Sequence, residues 1–339
     1  MAYSGSAPQR QSRVIFAGAG LSCAFGLPNT AALLRDLAHT SGKIVCGPSN
    51  EAMASAFGVL YPDGEKKDYL PDTVDFFSSL QAFIDIGAPG LPGVQLRDAA
   101  ELMRALKLGI ARLLVDRLKE AEAQSRLTVD SDYLNHVVQP GNVVITTNWD
   151  LVIERFASLK DIDVRRTGTP GASYLLLLKL HGSIDWSEWA RRKFVASDHQ
   201  EDFAVLREFK NRLLLPADSD SEIVRIRAIE HWSRCWQRIS ARTHEPFVLT
   251  MYRGKGPELR ALSQIWSDAY GALSRARTLE IVGYSLPADD LEIRTLLRAG
   301  LTRGRQKVDV TVRNPAPDVH TRIRQHVFPS AKSDYRAVS

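Results

Sequence analysis

Five short apolar runs constrain this chain more than any other feature. They occupy residues 14–17, 143–147, 175–180, 279–283 and 308–312, and each is continuous where a half-buried strand would alternate. A strand apolar at every position needs cover on both faces, the condition of a parallel sheet packed between helices. Helical patterns lie between the runs, the clearest being Leu102, Leu106, Ile110, Leu113 and Leu118. Strands alternating with helices predict an α/β chain with a doubly wound, mainly parallel Rossmann-like sheet. Its ligands are then expected beyond the carboxyl ends of the strands.

The spacing of the runs predicts the domain plan. Residues 1–12 are polar and Ser-rich and read as a disordered lead, and 13–330 read as one ligand-binding domain with a short tail at 331–339. The gap between the first two runs exceeds one crossover, so helical insertions are expected at about 43–131 and 187–245. The first holds Tyr69, Phe76, Phe77 and Phe83, a Gly/Pro loop at 87–93 and the helix through Leu118. The second carries Trp189, Trp232 and Trp236 and is expected to cover or flank the pocket.

Composition narrows the function classes. Among 339 residues, 44 Lys and Arg against 39 Asp and Glu give a net charge of +5, a small surplus on a mixed surface. The basic groups Arg191-Arg192-Lys193 and Arg303, Arg305 and Lys307 are short and lack the interleaved aromatics of a stacking platform, so direct nucleic-acid binding is not expected. Three scattered cysteines, Cys23, Cys46 and Cys235, argue against a disulfide framework and cannot supply the four thiolates of a structural zinc cluster. No window approaches the ~20 apolar residues of a membrane helix, and the start lacks the apolar core of a signal peptide. A cytoplasmic, metal-free protein with no membrane contact is the expectation.

Polar residues gather where the apolar runs end. The first run leads into Gly18-Ala19-Gly20-Leu21-Ser22, then Gly26-Leu27-Pro28. Glycines there let the backbone turn and approach a pyrophosphate, to be met by helix N-terminal amides and the Ser22 hydroxyl. Cys23 stands at the third position of the usual dinucleotide fingerprint, so a turn without a ligand remains open. Thr146-Thr147-Asn148-Trp149-Asp150 ends the second run. Asn148 can orient a water or a ribose hydroxyl and Asp150 can accept from a carboxamide, and either residue can instead cap the helix that follows. Lys179-Leu180-His181-Gly182-Ser183 ends the third run and offers a histidine whose ordinary pKa suits proton transfer. The fourth ends in Gly283-Tyr284-Ser285, ahead of a helix opened by Asp289-Asp290, and the fifth in Arg313-Asn314-Pro315. Capping and turn formation are the alternatives for these last two.

In this order the clusters resemble the sirtuin-like NAD-binding family, over nearly the whole span from Arg13 to Pro315. The phrases Lys179-Leu180-His181-Gly182-Ser183 and Val282-Gly283-Tyr284-Ser285-Leu286 are similar to those of a divergent bacterial branch, immune effectors that hydrolyse NAD and starve an infecting phage. Protein deacylases of the family continue the glycine segment into Pro-Asp-Phe-Arg, where this chain has Pro28-Asn29-Thr30-Ala31. They also carry two Cys-x-x-Cys pairs after the catalytic histidine, and here Cys235 alone follows His181. The resemblance implies NAD as substrate with no metal. Gly18, Ala19, Gly20 and Ser22 would cradle the pyrophosphate, with Thr147 and Gly283 in the same binding set and Ser285 and Asn314 toward the adenosine. Asn148 would place water or a ribose hydroxyl, Asp150 would hold the carboxamide, and His181 would polarise the ribose hydroxyls. It also implies control by homo-oligomerisation or by a separate partner, such as a HerA-type ATPase or an Argonaute-like protein, because few residues follow Asn314. A deacylase and a non-catalytic NAD or ADP-ribose sensor are the competing readings.

Overall fold

The computed structural model describes residues 13–40, 50–61, 70–86, 96–190, 210–216, 221–226, 246–249, 256–288, 290–303, 308–328 and 333–338. In chain order the strands are β1 (Arg13–Ala17), β2 (Val143–Thr146), β3 (Val164–Arg165), β4 (Leu175–Lys179), β5 (Gly182–Ala190), β6 (Lys210–Pro216), β7 (Ser221–Ile226), β8 (Pro246–Val248), β9 (Thr278–Val282), β10 (Val308–Arg313) and β11 (Ser333–Val338). The helices are α1 (Ala19–Cys23), α2 (Thr30–Thr40), α3 (Asn50–Leu60), α4 (Thr73–Asp85), α5 (Leu96–Ala123), α6 (Asp132–Val137), α7 (Val152–Leu159), α8 (Gly256–Ala261), α9 (Ser263–Arg275), α10 (Leu291–Arg303) and α11 (Pro317–Val327).

The five apolar runs are the inner part of one seven-stranded parallel sheet, in the order β11-β10-β9-β1-β2-β4-β3. Alternate residues of each strand serve opposite faces. Ile15, Ala17, Val144, Leu175 and Leu177 join a core with α2, α4, α5, α6 and α7. Val14, Phe16, Val143, Ile145, Leu176 and Leu178 join another with α9, α10 and α11. A strand serving two cores has no solvent face, which is why the runs at β1, β2 and β4 are nearly unbroken, whereas β10, expected to be continuous as well, alternates and serves one core, with Asp309 exposed. The chain leaves β1 for β2, β3 and β4 on one side and returns through β9, β10 and β11 on the other. The winding therefore reverses between β1 and β9, which opens a crevice at their carboxyl ends.

Two expectations need correction. The described parts of the 187–245 insertion are strands, belonging to a four-stranded antiparallel sheet β6-β7-β5-β8. β5 carries the chain into this stretch with a period of two, Ile184 and Trp186 alternating with Ser183, Asp185 and Ser187, which is the spacing of a strand and not of a helix. Most of the tail expected at 331–339 is β11, paired in parallel with β10. Its polar and apolar residues also alternate, through Asp334-Tyr335-Arg336-Ala337. The 43–131 insertion is helical where described, in α3, α4 and α5. Asp72 starts α4 by accepting from the amides of Val74 and Asp75 at 2.9 and 3.0 Å. The lead at 1–12, Cys46, Tyr69, the loop at 87–93, Arg191-Arg192-Lys193, Trp232, Cys235, Trp236, Arg305 and Lys307 lie outside the described residues, as do the side chains of Trp189 and Arg303.

Phe16 lies at the centre of the sheet, fully buried, with its ring 4.9 Å from that of Tyr284. Replacing it by Ala empties a site walled by two strands and a helical layer. Phe16→Ala is expected to lower unfolding stability by about 3–5 kcal/mol, read as a fall in urea midpoint.

Candidate functional site

Register brings the polar clusters together. Lys179, Thr146, Ala17, Val282 and Arg313 are successive partners across five strands, so the residues following them emerge side by side. They border a cleft of about 790 Å³, within the ~300–1,000 Å³ of small-molecule and cofactor sites. Ala19, Gly20, Thr147, Asn148, Asp150, His181, Gly283, Ser285 and Asn314 all line it, as the sequence predicts. Leu33 of α2, Val74 of α4 and Leu114 of α5 form an apolar wall, so the first insertion encloses the cleft.

The loops after β1 and β9 meet through bare backbone. Gly18 donates to the Val282 carbonyl at 2.9 Å and Gly20 to the Gly283 carbonyl at 2.8 Å. A Cβ on Gly20 would lie 2.7 Å from Cα of Gly283, and one on Gly283 would lie 2.4 Å from the Leu21 nitrogen. Gly283 also has φ +59, which disfavours a side chain.

Two predicted binding residues serve a different purpose from the one expected. Gly18 and Ser22 lie behind the cleft wall and both hold Asn148. The Asn148 amide nitrogen donates to the Gly18 carbonyl and to the Ser22 hydroxyl, each at 3.1 Å. Ser22 is 2% exposed and also hydrogen-bonds the Asp150 carboxylate, so close packing keeps it from reaching a pyrophosphate. With both amide hydrogens of Asn148 used inward, its Oδ1 is the atom that can accept from a ligand or water.

Asp150 is buried and works in two directions. Its Oδ1 accepts from the Val152 amide at 3.0 Å and so caps the first turn of α7, while the residue lines the cleft. Burial raises its pKa above the ordinary carboxylate value, opposed by the Lys179 ammonium, the Ser22 hydroxyl and the Val152 amide. Burial also raises the Cys23 thiol, and the Asp150 charge adds to this, so Cys23 is not a ready thiolate nucleophile. His181 is held by the backbone around it. Leu249 donates to the His181 carbonyl at 2.8 Å, and the Trp266 indole to the Leu180 carbonyl at 3.1 Å. Gly182, at φ +81, lets β8 close on this turn, since a Cβ there would lie 2.1 Å from the Phe247 carbonyl oxygen. Asn314 accepts from the Ala316 amide at 2.9 Å ahead of α11, and the Ser285 carbonyl accepts from Arg322 at 2.9 Å.

Sequence reasoning assigned no role to the charges beneath the site. Lys179 is 1% exposed; its ammonium donates to Glu154 at 3.1 Å, to Ser183 at 2.9 Å and to the carbonyls of Trp149 and Asp150 at 3.3 and 2.5 Å. Arg166 lies 3.9 Å from the same Glu154 oxygen, and Ser183 donates to Asp185 at 2.6 Å. The available signal was a lysine after four leucines in a strand buried on both faces, which requires a buried counter-charge. At the other end Tyr133 and Arg313 also line the cleft. Burial and the Glu280 charge push the Tyr133 hydroxyl far above its ordinary pKa. Among the described residues, no group of three or more His, Cys, Asp or Glu side chains is placed to hold a metal ion, and no helix is long and apolar enough to cross a membrane.

No family model and no curated protein matches this chain. Solved structures do show similarity. A structure of Sir2Tm bound to a propionylated peptide is 16% identical with a TM-score of 0.31, over 91% of this chain and 85% of that one. A structure described as the structural basis for the mechanism and regulation of Sir2 enzymes is 14% identical with a TM-score of 0.33, over 97% and 86%. Similarity of this degree bears on neither chemistry nor substrate.

The raised pKa of Asp150 has a stability consequence. A folded-state pKa above the unfolded value means the native state holds the proton longer, so stability falls as pH rises from the ordinary carboxylate range through the raised pKa. Asp150→Asn keeps the cap and removes the buried charge. It is expected to unfold at a higher temperature than the parent at neutral pH, with the gap closing as pH falls toward 4; equal midpoints at every pH would contradict the assignment.

Proposed function

We propose that this protein is an NAD⁺ glycohydrolase, a cytoplasmic enzyme that uses water to cleave the nicotinamide–ribose bond and releases nicotinamide and ADP-ribose. The observation that carries this reading is the shared row of strand ends. It sets exposed glycine backbone beside an amide oxygen, a buried carboxylate and an imidazole in one cleft. Gly20 and Gly283 line the cleft at the carboxyl ends of β1 and β9, so a pyrophosphate can approach the exposed backbone of Gly20 without meeting a side chain of either residue. Ser285 and Asn314 offer polar groups for the adenosine half, and Thr147, Asn148, Asp150 and His181 for the nicotinamide ribose.

The chemistry asks little of an acid, because loss of nicotinamide discharges its cationic ring and leaves positive charge developing on the ribose. The protein's task is to hold the sugar and place one water. The Asn148 Oδ1, fixed by two inward hydrogen bonds from its own amide nitrogen, orients the water. His181 draws on a ribose hydroxyl, and the Asp150 carboxylate accepts from the carboxamide. The water's oxygen bonds to the sugar carbon that loses nicotinamide, and its proton passes to solvent.

The sequence resemblance to bacterial NAD-hydrolysing effectors supports a wider proposal, that turnover depletes NAD⁺ in phage-infected cells. Control then comes from homo-oligomerisation or from a separate regulatory protein such as a HerA-type ATPase or an Argonaute-like partner.

Purified protein incubated with NAD⁺, at low and high protein concentration, tests the reading by chromatography of the products. Free nicotinamide and ADP-ribose are expected without any peptide. Release that depends on an acetylated peptide would replace the hydrolase with a deacylase, and calorimetric binding without release would replace it with a sensor. His181→Ala is expected to slow turnover by ~10²–10⁴-fold and Asn148→Ala by ~10²–10³-fold, both proteins remaining folded. Parental rates in folded His181→Ala protein would exclude that assignment.

A further inference from the structure

We infer that Lys179 is a positioning residue of the cleft: its buried ammonium ties down the Trp149–Asp150 backbone and sets a fixed positive charge beneath the Asp150 carboxylate. It deepens the glycohydrolase reading and rests on it only where turnover is concerned.

The geometry goes beyond what strand packing needs. A leucine at this place would complete the run 175–178 at no electrostatic cost, whereas an ammonium in a sheet buried on both faces must be compensated. Glu154 alone would compensate it, through the 3.1 Å ion pair between β4 and α7. The ammonium nevertheless also donates to two successive carbonyls of the loop that carries the site, Trp149 and Asp150, and to Ser183. These bonds fix the peptide plane that aims Asp150, whose own Oδ1 is fixed by the Val152 amide. Asn148 stands immediately before this pair and is tied at its other side to Gly18 and Ser22. The loop is therefore locked from beneath by Lys179 and from the flank by α1.

The charge matters as well as the bonds. Around Asp150 the ionisable groups are Cys23 at the end of α1, Glu154 of α7 and Lys179 of β4, and His181, Tyr133, Tyr284, Asp290 and Arg313 complete the ionisable lining of the cleft. Lys179 favours the Asp150 carboxylate more strongly than Glu154 disfavours it. Removing both partners of the pair together therefore raises the pH at which Asp150 takes up a proton, and leaves neither member of that pair as a lone buried charge, although Arg166 loses its contact with Glu154.

The test uses the full chain as Lys179→Met/Glu154→Gln, checked for folding by thermal unfolding. Asp150 is followed in the ligand-free protein by the ¹³C shift of its carboxyl carbon, assigned with Asp150→Asn. Its titration is expected to move to higher pH than in the parent. With NAD⁺, kcat is expected to fall by about 10²-fold while KM stays at the parental value, and the acid limb of the kcat profile moves up in pH with the carboxyl titration. An unchanged Asp150 titration in the folded double variant overturns the inference, as does a loss of activity carried by KM alone. Should the parent protein turn over no NAD⁺, the glycohydrolase reading falls and the carboxyl titration still decides the place of Lys179.

Discussion

The backbone contact between the loops after β1 and β9 is the constraint on which the rest of this architecture depends. Two peptide hydrogen bonds, from Gly18 to Val282 and from Gly20 to Gly283, join loops far apart in sequence at the point where the sheet changes its direction of winding. The approach needs glycine at 18, 20 and 283, because a Cβ added at any of the three would come within 2.4 to 2.7 Å of the facing chain. Closing the loops in this way aligns Ala17 with Val282 and sets the height at which every other strand end meets the cleft. The seam also stands at the edge of the cleft, which Gly20 and Gly283 both line.

On either side of this seam the sheet carries charge within an otherwise apolar layer. Lys179 and Glu154 lie on the side of β2 and β4, with Arg166 near Glu154. On the other side Glu280 of β9 is 5% exposed and is bonded to Arg13 of β1, Arg313 of β10 and His136 of α6. Burial and the two arginines lower the His136 pKa, so at neutral pH the carboxylate is met chiefly by the guanidinium groups. Buried pairs of this kind add little stability compared with apolar side chains of the same volume, but a strand slipped by one residue would turn each charge into the opposite core. Leucine and valine runs are nearly degenerate in register. Charges joining neighbouring strands break that degeneracy where Glu280 of β9 meets Arg13 of β1 and Arg313 of β10.

Much of this was legible in the chain. Apolar runs located five of the seven strands of the main sheet to within a residue or two, four of them nearly continuous and β10 alternating, with Val308, Val310 and Val312 inward and Asp309 exposed. The polar clusters after them were legible because a parallel sheet brings its carboxyl ends to one edge whatever the order of its strands. What escaped was information held by pairs. β3 is two residues long and is defined by its neighbour β4 rather than by its own pattern. The antiparallel strands β5 to β8 are held by their pairing with one another, which mixed charge and scattered tryptophans in the sequence did not reveal. Ser22 looked like a phosphate ligand because its hydroxyl follows a glycine turn, and its inward orientation is fixed by Asn148, 126 residues later, and by Asp150. Lys179 stood in plain view, but its significance depends on Glu154, a full strand-loop-helix distance away.

Capping and site chemistry, which the sequence presents as competing explanations for a polar residue after a strand, are here the same thing. Asp150 caps α7 through one oxygen and Asn314 engages the start of α11 through its Oδ1, yet both line the cleft. Asn148 spends both amide hydrogens on Gly18 and Ser22 and keeps its oxygen for the space beyond. Each side chain is thus bound on its protein side by a backbone group or a buried hydroxyl, which removes its rotamer freedom before any ligand arrives. A polar group already immobilised does not have to be ordered when charge develops near it, and that is the condition under which a hydrogen bond stabilises a transition state rather than merely a complex. The starts of these helices are therefore part of the site: the Val152 amide of α7 holds Asp150 and the Ala316 amide just ahead of α11 holds Asn314, so a substitution that spoils either bond also loosens a group that faces the cleft.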